Sequence, residues 1–344
     1  MVLAMQKEIR IRVKEWPFPI LNTIYLGGGT PSILQGSQLA ALFDTISQNF
    51  EIDNSAEISL EANPDDINVE NLKLWKSLGI NRLSIGLQSS HDFRLIWMNR
   101  IHSAEEGRRA VKLSQNMGLE NISLDLMYNF PESTDDELLE DIDSLVSLAP
   151  KHISAYGLTI EPQTVFGKRQ KKGELHALPD EKAAHQFYLV SKQLQSADFE
   201  HYEISNFGKA GFYAHHNSNY WFQKPYLAIG PGAHGFDGSL RYENLPNNNL
   251  YIKNLLEYSK PYQKAEKLSK EEFANEIILT RLRTKWGISL PDFQSLTDLN
   301  LLEYKRKEIE MLENKGLIAL ENQSIVLSTA GKIFADRIAM DLMF

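Results

Sequence analysis

Three consecutive glycines follow the first β-like run, in the segment Gly27-Gly28-Gly29-Thr30-Pro31. Glycines at such a place let the backbone approach a ligand closely and expose several N–H groups. No Gly-Lys-Ser/Thr follows, so the segment is not a P-loop, and Ser32 stands where a dinucleotide-binding fingerprint would have its third glycine. The segment predicts a ligand-binding turn, with a plain strand-to-helix turn as the alternative.

Polar residues stand at the equivalent place on the later β-like runs. They are Glu61 at the end of the second, Gln88 after the third, Asp125 in the fourth and Thr159 closing the fifth. Because the carboxyl ends of parallel strands meet on one face, where ligands bind, the pattern predicts one shared polar site. Each residue alone also has a structural explanation, such as a turn residue or a satisfied buried acid. Arg100 could hold a ligand carboxylate through two hydrogen bonds, or form a surface ion pair.

A second group of residues combines histidines with aromatic side chains. His215 and His216 precede Tyr220 and Trp221, and His234 ends a glycine-rich stretch. These histidines could ligate a metal or haem iron, and the aromatic rings could flank a flat ligand. A hydrogen-bond network within the loop is the alternative for each histidine. The sequence has no HExxH spacing that would favour a metallohydrolase.

The elements that must position these residues alternate regularly in the first half. Amphipathic helical patterns separate five β-like runs, and the capping box of Thr134 and Glu137 predicts the start of one helix. The repeat of about 25 to 40 residues is that of a β-α unit and predicts a parallel sheet, in a barrel or a doubly wound layer. The predicted strands are 23–26, 57–61, 82–86, 122–127 and 152–158, and the predicted helices include 38–49, 68–78 and 103–116.

The second half is less regular. It predicts an exposed loop over 161–179, a helix over 180–197, a short strand near 202–205 and a loop-dominated stretch over 208–249. From Ser269, which forms a second capping box with Glu272, the order is helix, strand, strand, helix: 301–314, 317–320, 324–327 and 329–342. We therefore predict three parts: an α/β barrel over 1–200, a loop-rich extension over 201–268, and a small winged-helix-like α+β domain over 269–344.

Composition excludes several classes of function. The sequence has no cysteine, which removes disulfides, thiolate zinc sites, thiol nucleophiles and cysteine-held iron–sulfur clusters from these 344 residues. The net charge of −9 argues against a general binder of nucleic acid or anionic membranes. No apolar run reaches the roughly 18 residues that a membrane-spanning helix needs, and no signal-peptide pattern is present. We expect a cytoplasmic protein.

Taken together, several segments resemble the radical S-adenosylmethionine (SAM) enzymes of the oxygen-independent coproporphyrinogen III oxidase family. They are Tyr25-Leu-Gly-Gly-Gly-Thr-Pro-Ser32, Glu61-Ala-Asn-Pro64, Ile85-Gly-Leu-Gln-Ser89, Asn99-Arg-Ile-His102 and Asp125-Leu-Met-Tyr-Asn-Phe-Pro131. Three others resemble the HemW branch of that family, regarded as haem chaperones: Glu203-Ile-Ser-Asn-Phe207, His216-Asn-Ser-Asn-Tyr-Trp221 and Gly230-Pro-Gly-Ala-His234.

The resemblance implies an incomplete (β/α)6 radical SAM barrel with an added C-terminal domain. It also implies SAM-binding roles for Gly28, Gly29, Thr30, Glu61, Gln88, Arg100, Asp125 and Thr159. The family holds a [4Fe-4S] cluster with a CxxxCxxC motif after its first strand, and this sequence lacks that motif and opens on a helical pattern over 1–14. We expect the missing strand and motif to be encoded upstream, and the chain as written to be inactive in radical chemistry.

Three functions remain open at this point. The resemblance favours a haem chaperone that transfers haem to an acceptor protein, with His215, His216 and His234 as candidate haem ligands. One alternative is an oxygen-independent coproporphyrinogen III oxidase, which would take porphyrinogen and need an electron donor. The other is a cluster-free ligand-binding module. We expect no nucleic-acid partner, and membrane contact only through an acceptor.

Overall fold

The computed structural model describes residues 1–261 and 264–344. These residues divide into two compact units. Unit 1 comprises Met1–Ile24, Leu34–Glu57 and His215–Phe344, and unit 2 comprises Tyr25–Ile33 and Ile58–Ala214. The three-part division drawn from the sequence stays a prediction.

Seven strands form the main sheet in the order β1-β2-β3-β4-β5-β7-β6. Strands β2 to β5 pair in parallel, and a hairpin of β6 and β7 joins β5 in the antiparallel sense. Apolar side chains on β3 and β4, among them Leu83 and Leu124, are fully buried. The strands are β1 (Ile20–Leu26), β2 (Glu51–Ala62), β3 (Arg82–Gln88), β4 (Ile122–Tyr128), β5 (His152–Gly157), β6 (Glu200–Glu203) and β7 (Asn206–Gly208).

Helices separate the parallel strands, as the sequence predicts. The capping box of Thr134 and Glu137 is formed at the start of one of them, and glycines with left-handed backbone (Gly79, Gly118) follow two others. The separating helices are α2 (Gly36–Asn49), α3 (Val69–Ser77), α4 (Asp92–Trp97), α5 (Ala104–Asn116) and α6 (Asp135–Ser147). Helix α1 (Val2–Arg12) precedes β1, and α7 (Val165–Lys171) and α8 (Asp180–Ser196) lie between β5 and β6. The α/β fold class is confirmed.

The remaining elements belong to unit 1. The Ser269–Glu272 capping box is formed, and the two predicted strands at 317–327 pair in a three-stranded sheet of order β11-β13-β12. A second small sheet has the order β10-β9-β8. These elements are α9 (His215–Trp221), β8 (His234–Phe236), β9 (Leu240–Glu243), α10 (Asn248–Lys253), a π-helical turn (Asn254–Tyr258), β10 (Lys264–Lys267), α11 (Lys270–Arg281), β11 (Ile288–Ser289), α12 (Leu290–Thr297), α13 (Leu301–Tyr304), α14 (Arg306–Asn314), β12 (Ile318–Glu321), β13 (Ser324–Leu327), α15 (Thr329–Lys332) and α16 (Ala335–Leu342).

Several predicted boundaries were wrong for physical reasons. The predicted loop over 161–179 contains α7, whose Thr164 cap accepts a hydrogen bond from Gly167 N and whose Phe166 stacks on Trp97 at 4.3 Å. Its exposed lysines interrupt the apolar periodicity by which a sequence pattern predicts a helix. The single strand predicted near 202–205 is the hairpin of β6 and β7, because the Glu203 carboxylate accepts hydrogen bonds from Ser205 N and Asn206 Nδ2 and closes a turn there.

Other differences concern continuity. The stretch 208–249 contains α9, β8 and β9, so it is less loop-like than predicted. Each of the two long helices predicted in the C-terminal part is divided in two, at Lys305 and between Lys332 and Ala335. Over the part of the chain that the structure describes, the search for a helix with the length and apolarity to cross a membrane found none.

Candidate functional site

In unit 2, the triple glycine directly follows β1 and lies against Glu61. A Cβ atom on Gly27 would meet the Tyr25 ring and would lie 2.6 Å from Glu61 Oε1, so a larger residue does not fit there without a shift. Gly28 has a left-handed φ of +82°, which glycine adopts at little cost. The glycines therefore allow the turn after β1 to approach the end of β2.

The Glu61 carboxylate links the ends of these two strands. Its Oε1 accepts a hydrogen bond of 2.5 Å from the Tyr25 hydroxyl, and its Oε2 accepts one of 3.2 Å from Gly28 N. Burial, followed by the charge of Glu61, raises the pKa of Tyr25 far above its usual value, so this hydroxyl remains a donor at all physiological pH values. Glu61 is thus fixed by one side chain and one backbone donor.

Asp125 on β4 is the second carboxyl group of this region. Ser84, which is in register with Glu61 on the neighbouring strand, donates a hydrogen bond of 3.3 Å to Asp125 Oδ1. Burial and, next, the negative charge of Glu61 raise the pKa of Asp125 to about 7, against the opposing effects of Ser84 and Arg82. Near neutral pH this carboxyl group can therefore donate or accept a proton in a hydrogen bond.

Gln88 and Arg100 meet over Gly86. Arg100 Nη2 donates to the Gly86 carbonyl at 2.7 Å and to Asn63 Oδ1 at 3.4 Å. A Cβ atom on Gly86 would lie 2.6 Å from Arg100 Nη2 and 3.0 Å from Gln88 Nε2, so glycine provides the space for both groups. Arg100 Nε is buried and has no hydrogen-bond partner among the described residues. Burial lowers the pKa of Arg100, while the charge of Asp125 opposes that shift.

The structure therefore connects five of the eight predicted binding residues, which we call the rim site: Gly28, Glu61, Gln88, Arg100 and Asp125. It does not connect the other three to them. Thr159 is exposed beyond β5, Gly29 has open space where a Cβ would lie, and the Thr30 carbonyl accepts a hydrogen bond from Ile33 N in a short 3-10 turn. Sequence reasoning did not assign roles to Tyr25, Ser84 or Asn63. Tyr25 lies just before the glycines and Asn63 lies two residues after Glu61, and both positions were available signals. The register of Ser84 with Glu61 is seen only in the structure.

In unit 1, the predicted histidine group (His215, His216 and His234) has a different character. His216 Nδ1 lies 2.8 Å from Thr23 Oγ1 and its Nε2 lies 2.7 Å from the Tyr220 hydroxyl, so hydrogen bonds engage both ring nitrogens. The Glu57 carboxylate accepts hydrogen bonds from the backbone N–H groups of His215 and His216, which fixes the start of α9.

His215 and His234 are exposed, and the structure gives neither ring a hydrogen bond to a described residue. Across residues 1–261 and 264–344, no group of three or more His, Asp or Glu side chains could hold a metal ion. A metal bound by this group would therefore have at most two such ligands from the described residues, whereas haem iron can be held by one imidazole.

A buried carboxylate that the sequence analysis missed holds the loop before His234. Glu8, which is fully buried on α1, accepts hydrogen bonds from Gly230 N at 2.9 Å, Asn244 Nδ2 at 2.9 Å and the Tyr251 hydroxyl. Arg12 neutralises it at 2.7 Å. No motif signals this network, because its members come from distant parts of the sequence.

Comparisons with known proteins agree with this architecture. Residues 5–145 match the model of the radical SAM superfamily, and residues 268–334 match the HemN C-terminal domain. The coproporphyrinogen III oxidase (HemN) from Escherichia coli, a radical SAM enzyme, superposes with a TM-score of 0.85 over 99% of this chain and 82% of that chain at 18% identity. At that identity the match shows the fold alone, and it confirms a radical SAM barrel with an added C-terminal domain.

Curated relatives are more similar in sequence. The heme chaperone HemW of Bacillus subtilis is 34% identical over 336 residues, which cover 97% of this chain and 89% of the relative. The heme chaperone HemW of Mycobacterium tuberculosis is 32% identical over 342 residues, covering 99% and 86%. That of Escherichia coli is 39% identical over a shorter stretch of 216 residues, covering 62% and 56%. The chain belongs to the HemW family of the radical SAM superfamily.

Proposed function

We propose that this chain is a cytoplasmic haem chaperone, which binds haem and passes it to an acceptor protein. One observation carries the proposal: two relatives named heme chaperone HemW are more than 30% identical to the chain over nearly its whole length. The oxidase alternative is supported by the fold shared with HemN and by the match of residues 268–334 to the HemN C-terminal domain.

The proposal includes SAM at the strand ends of unit 2, held by Gly28, Gly29, Thr30, Glu61, Gln88, Arg100, Asp125 and Thr159. The donor set fits SAM. The unpartnered Nε of Arg100 suits a carboxylate, and the oxygens of Glu61 and Asp125 suit ammonium and hydroxyl groups. Because Asp125 has a pKa of about 7, its affinity for a cationic ligand would strengthen as it ionises above neutral pH.

In radical SAM proteins, SAM bound to a reduced [4Fe-4S] cluster supplies an adenosyl radical. This sequence offers no thiolate for such a cluster, and the described His, Asp and Glu residues form no substitute group. The residues present therefore fit SAM and do not fit the cluster, and we derive no radical step for them.

Haem retention needs an apolar surface and, most simply, an axial ligand. Of the histidine group, His215 and His234 suit that role because their rings are exposed and unbonded. Ligation through His216 would first break its hydrogen bond to Thr23 or to Tyr220. The proposal therefore gives precedence to His215 and His234, and assigns His216 the role of holding Tyr220.

Titration with haemin tests the proposal. The unaltered chain should give a stoichiometric Soret shift, and the shift should be lost or altered in His215→Ala or His234→Ala. His185→Ala is the matched control, since His185 is an exposed histidine of unit 2 that pairs with Asp135 at 2.9 Å. A shift that persists in the triple variant His215→Ala/His216→Ala/His234→Ala would remove these ligands from the proposal.

Two further outcomes would replace the proposed function itself. If the chain does not bind haemin, and a cluster-containing form converts coproporphyrinogen III, the oxidase is correct. If the chain binds SAM but neither haemin nor coproporphyrinogen III, a cluster-free ligand-binding module is correct. If the chain does bind haemin, haem transfer is measured directly, as the rate at which a haem-loaded chain restores the absorbance of a haem-free acceptor.

A further inference from the structure

A buried aspartate behind the rim site is not explained by the ligand-binding residues. Asp141 on α6 is only 2% exposed. Its carboxylate accepts hydrogen bonds from Ser89 Oγ at 2.9 and 3.0 Å, from Ser90 N at 2.5 Å and from Ser90 Oγ at 2.7 Å. Burying a carboxylate is costly, and here donors from two consecutive residues offset that cost. Both residues directly follow Gln88.

The backbone of Gln88 has a conformation that costs free energy, so contacts from neighbouring residues must hold it in place. Its φ is +71°, in the left-handed region that residues other than glycine adopt at a cost. The pairing of β3 with β4 is irregular between Ile85 and Gln88, so the strand no longer fixes the Gln88 backbone by a regular ladder. The hydrogen bonds to Asp141 hold the chain immediately after this point.

That backbone conformation places the Gln88 side chain over Gly86. Gln88 Nε2 lies 3.0 Å from the position of a Cβ atom on Gly86, beside the guanidinium of Arg100. One turn before Asp141 on the same helix, Glu137 pairs with Arg94 of α4 at 2.5 Å, so α6 holds both the connection after β3 and the helix that follows it. Rotation of the Gln88 backbone out of the left-handed region would move its amide away from Arg100.

We propose that Asp141 is a positioning residue for the rim site, which fixes Gln88 for contact with SAM without touching SAM itself. This inference rests on the proposed SAM site. The alternative is that Asp141 only joins α6 to the sheet and contributes to stability alone. The two readings differ in whether the effect of Asp141 on ligand affinity depends on the Gln88 side chain.

A double-mutant cycle on SAM affinity decides between them. Gln88→Ala and Asp141→Asn should each weaken binding about three- to tenfold, the loss expected for one hydrogen bond. In the Gln88→Ala background, Asp141→Asn should have no further effect. If Asp141→Asn folds poorly, Ser89→Ala is the second variant, because it removes one donor and leaves the carboxylate in place. Its loss of SAM affinity should be smaller and should depend on the Gln88 side chain in the same way.

Ser191→Ala is the matched control. Ser191 is also buried in unit 2, where its hydroxyl bonds His201 Nδ1 at 2.9 Å, a partner far in sequence from Gln88, Ser89 and Ser90. This variant should lower the melting temperature and leave SAM affinity unchanged. Equal losses for Asp141→Asn with and without Gln88 would overturn the positioning role.

Hydrogen exchange provides a measurement that does not need the ligand. Asp141→Asn should accelerate exchange of the Ser90 amide, which donates to the carboxylate, relative to amides in the middle of β3. Unchanged exchange at Ser90 would contradict the inference. If the unaltered chain binds no SAM, the proposed SAM site fails, and this result is distinct from binding with additive losses, which defeats only the role of Asp141.

Discussion

The rim site and the histidine group differ in what brings their residues together. Four of the five rim residues come from β2 to β4 or from the turn after β1, and the geometry of a parallel sheet places strand ends side by side. The fifth, Arg100, comes from the connection between α4 and α5. The histidine group was proposed because of residue type and closeness in sequence. Its adjacent members, His215 and His216, have opposite environments, one exposed and one engaged at both ring nitrogens. Topology is therefore the stronger guide to which polar residues lie together.

The largest expected effect tests how tightly the rim site is packed. Gly27→Ala should lower the free energy of unfolding by about 3 kcal/mol, because its Cβ would overlap the Tyr25 ring and Glu61. Gly29→Ala is the control, since the space around its Cβ is open. Urea denaturation at neutral pH measures both. Equal stabilities of the two variants would mean that the turn after β1 is not packed against Glu61.

A pH-dependent effect tests the electrostatics of the same site. The pKa of Asp125 is raised from 3.8 to about 7 in the folded chain. Between these values the folded state holds a proton that the unfolded chain has released, so this group makes the protein less stable as pH rises from about 4 to 7. Asp125→Asn removes that slope. Relative to the unaltered chain, the variant should gain about 2 kcal/mol between pH 4 and pH 8. This is about half of the roughly 4 kcal/mol that the full shift would give at about 1.4 kcal/mol per pKa unit, because the Asp125 side chain is partly exposed to water.

Other titrating groups are common to both proteins, so only the difference between their stability curves is compared. Burial lowers the pKa of His152 well below its usual value, and this adds the same rise in stability with pH to each curve. A difference in stability that stays constant across pH would show that the pKa of Asp125 is not raised in the folded chain. Glu61→Gln should reduce the difference, since the charge of Glu61 contributes to the shift.

Much of the fold and part of the site could be predicted from the sequence. Runs of β-favouring residues predicted the starts of β3 and β4 to the residue and their ends to within two residues, and capping boxes located the starts of α6 and α11. The first part of β2 was missed because its residues 51–55 are exposed or half-buried and lack an apolar pattern. The hydrogen bonds of Glu8 to Gly230, Asn244 and Tyr251, and those of Asp141 to Ser89 and Ser90, were missed because they join residues more than 50 positions apart, which no local pattern reports.

The smallest expected effect tests the histidine group. His216→Ala should cost about 1 kcal/mol of stability, because it leaves Thr23 and Tyr220 without their shared partner in a partly buried place. His215→Ala should change stability by less than about 0.5 kcal/mol, as usual for an exposed side chain without hydrogen bonds. Chemical denaturation measures both.

In combination with Tyr220→Phe, the loss from His216→Ala should shrink, since the two changes remove one shared interaction. Equal losses for His215→Ala and His216→Ala would erase the distinction on which the preference for His215 as a haem ligand depends. A larger loss at His216, together with an unchanged Soret shift, would separate its structural role from haem binding.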